Sequence, residues 1–593
     1  MRAIPEETDV HAPPGVRLHR SAPPGRRRGR GVRAGAAARC ATILVAVAVL
    51  GATPGAAAAS VPPSVPSEPP PSCRAVPAVA GGPWADAVIY EAFVRSFADA
   101  DGDGIGDLAG MRARLDHLND GDPATMDDLG VTALWLMPIH PSPSYHGYDV
   151  TDHRAVDPDL GSMDDLRALV DAAHARGIRV LLDLVVNHTA RTHPWFTEAL
   201  AGGPARERYL WASTDPGWPA VAGPRPWHPA GAAWYYGVFD AGMPDLDLRD
   251  PWVTDELRAI ARFWLTEAGV DGFRIDAAKH LVENGPNAQV DQPESRAWLA
   301  GFRDAIHAVR PDALVLGEVW DSRPVAGRYI GEGALDMATD FATGDAVVAA
   351  IGGLNGTALA AAQAGLAPAY AGGLAATFLR NHDQERLATT FGERTDPLRL
   401  AAATLLTGPG VPVLYYGEEI GLPGGKPDPR IRTPLPWSGD GPGFGFTAGT
   451  PWQPFMEGAE TRNVAAQGGD PASLLSTYRA LIRLRAAHPA LGGAGGTWAA
   501  RTDARNAAAI VRALGDARIV VLHNVTGRPA PDVTIDRAEG PLCGTPTARL
   551  LWASDGSRPA ITPPAITAAG GLAGWTPVAE LAPWTTLVIA LEQ

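Results

Sequence analysis

The sequence predicts an α/β protein built on a (β/α)8 barrel, with an inserted subdomain after the third strand and a C-terminal antiparallel β-domain. Three observations predict it. From about Ala85 to Leu422, short apolar strand-like runs alternate with longer amphipathic stretches. That alternation over about 340 residues argues for a parallel sheet long enough to close. The rhythm breaks once, from Thr189 to Leu248, where Trp, Pro, Gly and Tyr crowd together without a period. After Asp470 a helical stretch gives way to short runs separated by turn residues.

Taken in order, residues 1–59 read as an export signal. Arg26, Arg27, Arg28, Arg30 and Arg33 precede the apolar run Ala41 to Leu50, and small residues follow through Ala56 to Ala59. The run is too short to span a membrane in the mature protein. Residues 60–82 read as a Pro/Ala-rich linker. The barrel is assigned to 83–188 and 249–490, with strands at Ala87–Tyr90, Ala133–Leu136, Val180–Val185, Val270–Ile275, Ala313–Leu316, Ala375–Leu379 and Val411–Tyr415. Helices are expected at Met163–Arg176, Asp255–Glu267 and Glu294–Val309. The insertion takes 189–248. A helix at Ser473–Ala487 leads to the β-domain at 491–593, with strands at Ala507–Leu514, Arg518–Val525, Ala548–Trp552 and Thr585–Leu591.

The formal charge of the 593 residues is −15. Residues 1–59 carry a surplus of six positive charges, which leaves −21 on the rest. Such a body repels nucleic acid and anionic membranes and suits a neutral substrate and bound cations. Only Lys279 and Lys426 are lysines in a chain that otherwise uses arginine. With Cys40 inside the signal, Cys73 and Cys543 remain, and an exported chain permits one disulfide between them. A monomer is the expected state.

In such a barrel, chemistry sits at the C-terminal ends of the strands. Four candidate strand ends carry acids and histidines: Asp183-Leu-Val-Val-Asn187-His188, then Arg274-Ile-Asp276-Ala-Ala-Lys279-His280, then Glu318-Val-Trp320, then Arg380-Asn381-His382-Asp383. A charged side chain within a strand is costly unless paired or functional, so four in one barrel predict a convergent acidic pocket. Glycosidic bond cleavage needs one carboxylic acid and one carboxylate. Residue chemistry alone leaves the assignment open among Asp183, Asp276, Glu318 and Asp383.

The strings DLVVNH, GFRIDAAKH, GEVW and NHD, in that order, resemble the signature regions of the α-amylase family, glycoside hydrolase family 13. The resemblance implies that Asp276 is the nucleophile, Glu318 the general acid/base, and Asp383 the residue that holds sugar hydroxyls. It implies retention of configuration, with the carboxyls of Asp276 and Glu318 ~5–5.5 Å apart. Arg274, two residues before the nucleophile, is expected to keep Asp276 ionised and to pair with Asp183. His188 and His382 resemble the histidines that bond the sugar in the cleaved subsite. The segment Tyr145-His146-Gly147-Tyr148-Asp149 resembles the loop whose ring stacks on that sugar. Met243-Pro-Asp245-Leu-Asp247 resembles the fifth signature region.

Lys279 and His280 resemble the α-amylase form of the second region, which implies binding of glucose units on the leaving-group side and α-1,4 cleavage of starch, glycogen or maltooligosaccharides. Asp149 and the stretch Asp428 to Trp437 instead resemble the oligo-1,6-glucosidase branch, where an Asp–Arg pair walls off the pocket. A meeting of Asp149 with Arg432 would imply exo action. An exo-α-glucosidase or a glucan transferase is therefore the alternative, and a non-catalytic glucan-binding protein the remote one.

Asp99-Ala-Asp101-Gly-Asp103-Gly-Ile105-Gly-Asp107 places oxygen donors at alternate positions, with a glycine at the sixth for the tight turn. It lacks the acidic twelfth residue of an EF-hand, since Gly110 stands there. The reading is a Ca2+ site bracing the barrel, with Ile105 giving its backbone carbonyl.

Overall fold

The computed structural model describes residues 74–370 and 373–592. The expected export signal and most of the linker lie outside the described residues. Eight parallel strands close into a barrel: Ile89–Ala92, Ala133–Leu136, Arg179–Leu184, Gly272–Ile275, Leu314–Gly317, Met337–Asp340, Leu374–Thr377 and Val411–Tyr415. Seven were expected. The sixth, Met337-Ala-Thr-Asp340, escaped because it has no apolar run; its last residue, 1% exposed, is held by the Arg323 guanidinium.

Register carries the site. Asp183 on the third strand stands opposite Arg274 on the fourth, and Ile275 stands opposite Gly317 on the fifth. Asp276 and Glu318, one residue further along each strand, are thus neighbours at the rim. The fourth strand begins at Gly272, whose φ is +150°. A Cβ there would lie 2.3 Å from the Leu314 carbonyl oxygen, so only glycine allows the two strands this approach.

The helices pack apolar faces onto the strands. Met163–His174 opens on a capping box between Ser162 and Asp165 and buries Leu166, Leu169, Val170 and Ala173. Pro251–Phe263 begins four residues earlier than expected, because Asp250 caps its first turn and Pro251 occupies the first helical position. It buries Val253, Leu257, Ile260 and Ala261 before a π-turn at Trp264–Ala268.

Between the third and fourth barrel strands the insertion holds the helix Pro194–Ala201 and a three-stranded sheet of Trp211–Ala212, Ala233–Tyr236 and Trp227–Ala230. Its two ends are clasped together by an antiparallel bridge from His188 to Asp245, with the Leu246 N–H donating to the Asn187 carbonyl at 2.8 Å, and Tyr209 from within the insertion bridges Leu246.

After the helix Leu474–Ala487 comes a seven-stranded sheet in the order Thr547–Ala553, Thr586–Glu592, Ala517–Asn524, Ala507–Leu514, Gly496–Thr502, Ile535–Glu539 and Gly570–Trp575. Buried Arg512, on the strand Ala507–Leu514, joins this sheet to the barrel, donating to the Thr407 carbonyl at 3.5 Å as well as to those of Gly492 and Gly495, while Arg485 ties the preceding helix to the barrel through the carbonyls of Leu406, Gly408 and Gly410. Cys543 is disulfide-bonded, while Cys73, its expected partner, lies outside the described residues. No helix among the described residues is long and apolar enough to cross a membrane.

Candidate active site

The floor of the site is one guanidinium shared by three carboxylates. Arg274 Nη1 lies 2.8 and 3.0 Å from the two oxygens of Asp183 and 2.7 Å from Asp276, while Nη2 lies 3.1 Å from Glu318. The side chains of Arg274 and Asp183 are 1% and 0% exposed. Those of Asp276, Glu318 and Asp383 reach solvent at 11%, 13% and 29%. Asp183 is the deeper member of the quartet the sequence left open, and it also accepts from Trp135 Nε1 and the Tyr148 hydroxyl, each at 3.2 Å.

Just after Asp276 the chain bends through Ala277, which adopts φ +51°. That sparsely populated conformation presents the Ala277 N–H to Glu318 Oε2 at 3.1 Å. The bend ties the two rim carboxylates to one backbone.

A second group holds Asp383. His382 Nε2 lies 3.1 Å from Asp383 and 2.7 Å from the Tyr148 hydroxyl, and its Nδ1 bonds Glu91. The Tyr148 ring lies over His382 with centroids 5.6 Å apart and planes within 16°. Arg432 donates to Asp383 at 2.9 Å and to the His382 carbonyl at 3.0 Å.

Electrostatics follows from this wiring. Burial pushes Asp183, Asp276 and Glu318 upward, and Arg274 opposes it in each. Burial alone would raise Asp383, but His382 and Arg432 hold it well below the usual carboxylate range. Burial alone would lower His382; Asp383 and Glu91 overcome it and raise the imidazole to about 10. Burial lowers His188 to about 4, and burial with Lys279 lowers His280 to about 3, so both rings are neutral near pH 7. Burial, aided by Arg432, lowers His146 to about 4.

The expected residues distribute as follows. His188 and His280 flank Phe239, with ring centroids 5.5 and 5.3 Å from it. Lys279 Nζ donates to the Trp320 carbonyl at 2.5 Å and lies 3.6 Å from Asp321, so it braces the loop after the fifth strand. His146 Nδ1 accepts from the Tyr148 N–H at 3.1 Å and lies 3.8 Å from Asp149. The possible meeting of Asp149 with Arg432 does not occur. Asp149 is taken up by the hydroxyls of Ser142 and Ser144, and Arg432 by Asp383 and Asp428.

Three participants were not in the expected set. Trp135 and Glu91 lie inside strands, and Arg432 was foreseen only as a partner of Asp149. A glutamate in the buried run Ile89-Tyr-Glu-Ala92 was itself a signal, by the same cost of burying charge that marked the other strands.

In the loop after the first strand, the carboxylates of Asp99, Asp101 and Asp107 offer oxygens within 4.8 Å of one another. Asp103 stands apart and accepts from the Ile105 N–H at 2.7 Å. Asp99 is bonded by the N–H groups of Gly102 and Gly104 and by the Thr447 hydroxyl. Gly104 has φ +99°, and a Cβ there would overlap the Thr450 carbonyl oxygen at 1.8 Å.

The family description "Alpha amylase, catalytic domain" matches residues 91–493. "Alpha-amylase 3" of Dictyoglomus thermophilum is 37% identical over 467 residues, covering 75% of this chain and 85% of that protein. A "Probable alpha-glucosidase" of Rhizobium meliloti is 33% identical, covering 69% and 83%. The solved alpha-amylase from H. orenii superposes with a TM-score of 0.74 at 37% identity, covering 85% of this chain and 99% of its own. The chain belongs to the alpha-amylase family, glycoside hydrolase family 13, and is a hydrolase of that family.

Proposed function

We propose that the protein is an exported, retaining glycoside hydrolase that cleaves α-1,4-glucosidic bonds in starch-like glucans. The observation that carries this reading is the exposure pattern: Asp276, Glu318 and Asp383 reach the solvent side, while Asp183 lies closed off behind Arg274. The burial of Asp183 fits it for holding the guanidinium and leaves three carboxylates for a sugar.

In the first step Asp276 attacks the anomeric carbon. The bond to the glycosidic oxygen breaks with its electron pair going to that oxygen, which takes the Glu318 proton. In the second step Glu318 takes a proton from water, the water oxygen attacks the same carbon, and Asp276 leaves. An upward push on Glu318 suits the acid. The bonds from Arg274 favour the charged form of Asp276. Asp383, held ionised, accepts from sugar hydroxyls. The neutral rings of His188 and His280 can bond an uncharged polyol, and Tyr148 offers an aromatic face.

The relatives named alpha-amylase support an α-1,4 substrate, and the engagement of Asp149 with serines rather than Arg432 favours a pocket open beyond the cleaved sugar. The Asp99, Asp101 and Asp107 carboxylates, an all-oxygen set, fit a calcium ion that would neutralise their repulsion and brace the loop. Export rests on the basic and apolar pattern of residues 1–59.

Product analysis on soluble starch tests the reading. Mixed maltooligosaccharides released early with α-configuration support it. Glucose alone would assign exo action, lengthened chains a transferase, and no turnover would overturn it.

A further inference from the structure

We propose that Glu91 is a positioning residue, whose buried carboxylate fixes His382 as an imidazolium so that this ring donates into the substrate side of the pocket. Glu91 sits in the middle of the first barrel strand and is 1% exposed, so it touches no substrate. One of its oxygens bonds His382 Nδ1, and the other has no hydrogen-bond partner.

The protonation follows from donor and acceptor chemistry. The bond between Nδ1 and the Glu91 carboxyl needs one proton, which the more basic imidazole nitrogen holds, so Nδ1 is the donor. On the other side of the ring, Nε2 faces Asp383, also a carboxylate, at 3.1 Å, so it must carry one as well. The Tyr148 hydroxyl at 2.7 Å can accept that proton in turn. A histidine between two carboxylates is an imidazolium by geometry, and the upward shift described above agrees.

The ring has no freedom to change partners. Tyr148 stacks on one face, and Trp135 meets it edge-on at 6.0 Å and 85°. The other charged groups around it are Asp183, Arg274, Asp276 and Glu318 from the third to fifth strands, and Arg432 beyond the eighth. Beside Glu91 lie Glu418 and Tyr415, the latter directly opposite it on the eighth strand. With Glu91 charged, His382 keeps Asp383 ionised and aimed; without that charge, a neutral His382 supplies one proton fewer.

The proposal rests on the glycosidase reading of the pocket. Glu91→Gln keeps an acceptor of the same shape and removes the charge. Expected are a fall in kcat of about tenfold or more with a smaller change in KM, and an alkaline limb of kcat/KM moved about one pH unit or more toward acid. Glu91→Asp, shorter but charged, should keep the wild-type limb. Wild-type kcat and an unmoved limb in a folded Glu91→Gln enzyme would overturn the proposal, as would equal shifts in both variants.

Should Glu91→Gln fail to fold, the imidazole ¹⁵N spectrum of the wild-type enzyme decides. The His382 signals are identified by their loss in His382→Gln. Two protonated nitrogens through pH 8 support the proposal, and a neutral ring above pH 7 overturns it. Absence of wild-type turnover on α-glucans would sink the glycosidase reading instead, and the spectrum of wild type beside that of Glu91→Asp would still judge the imidazolium by itself.

Discussion

Replacing Arg274 by methionine removes the one cation at the centre of the site. Its guanidinium makes four close contacts, 2.7 to 3.1 Å, to Asp183, Asp276 and Glu318. Deleting one partner of a buried ion pair costs ~3–5 kcal/mol, because the charge left behind is neither solvated nor compensated. Here three carboxylates are left, and their escape is to take up protons. Each then has a folded-state pKa raised further above its unfolded value. Such a group stabilises the fold below the unfolded pKa, near 4, and that stabilisation is lost as pH rises through the folded pKa. The stability deficit of Arg274→Met should therefore be smallest near pH 5 and approach ~3–5 kcal/mol by pH 8. Activity should fall at least ~10²-fold at pH 7, since a protonated Asp276 cannot attack. Urea denaturation at pH 5, 6.5 and 8, with kcat/KM at each, measures both. A deficit under about 1 kcal/mol at pH 8, parallel to wild type across the range, would refute the shared-guanidinium account, since that is the size of an exposed pair.

Tyr148→Phe removes the hydroxyl bonded to His382 and Asp183 while keeping the ring. A fall in kcat/KM of about tenfold is expected, with a stability loss of no more than ~1.5 kcal/mol by thermal denaturation; unchanged kinetics would remove Tyr148 from the site. Chelation should lower Tm by several degrees, with calcium restoring it, and Asp101→Asn should blunt both responses. If neither the chelator nor the substitution moves Tm, the metal reading of the Asp99 loop fails. Glu418, buried and bonded by the Tyr478 hydroxyl at 2.8 Å, is raised by burial to about 8. Its stabilisation lies below the unfolded pKa and fades as pH rises toward 8, so Glu418→Gln should gain on wild type by up to ~1.4 kcal/mol per pH unit between pH 5 and 8. Parallel stability curves would show that Glu418 does not bind its proton as this burial requires.

The barrel and the rim acids were legible because their signals are local. Asp183, Arg274, Asp276 and Glu318 each follow or interrupt an apolar run, and a strand repeat of two residues sets Arg274 and Asp276 on one face. The sixth strand was not legible, because Met337-Ala-Thr-Asp340 has little apolar content and its aspartate serves Arg323. The C-terminal strands Gly496–Thr502, Ile535–Glu539 and Gly570–Trp575 were missed because Gly and Arg residues dilute their alternation. The start of the helix at Pro251 was written in Asp250-Pro251, a cap followed by a first-turn proline, and lay four residues from the expected start. The partners of Arg432 could not be read at all. Whether it meets Asp149 or Asp383 depends on how far apart loops fold back, and no periodicity encodes that distance.

The clasp at the base of the insertion has a consequence for how this chain can vary. His188 and Asp245 bridge each other, and Leu246 bonds back to Asn187, so the residues that leave the third barrel strand and those that return are fastened to each other. What lies between has its own sheet and a small aromatic cluster, while Phe196, Tyr209 and Tyr235 pack into the core shared with the barrel. Trp227, Tyr236 and Val238 pack among themselves in that cluster, apart from the residues that tie the knot. The floor of carboxylates belongs to the third to fifth barrel strands, so a change confined to this small cluster has no direct bond to it through which to act.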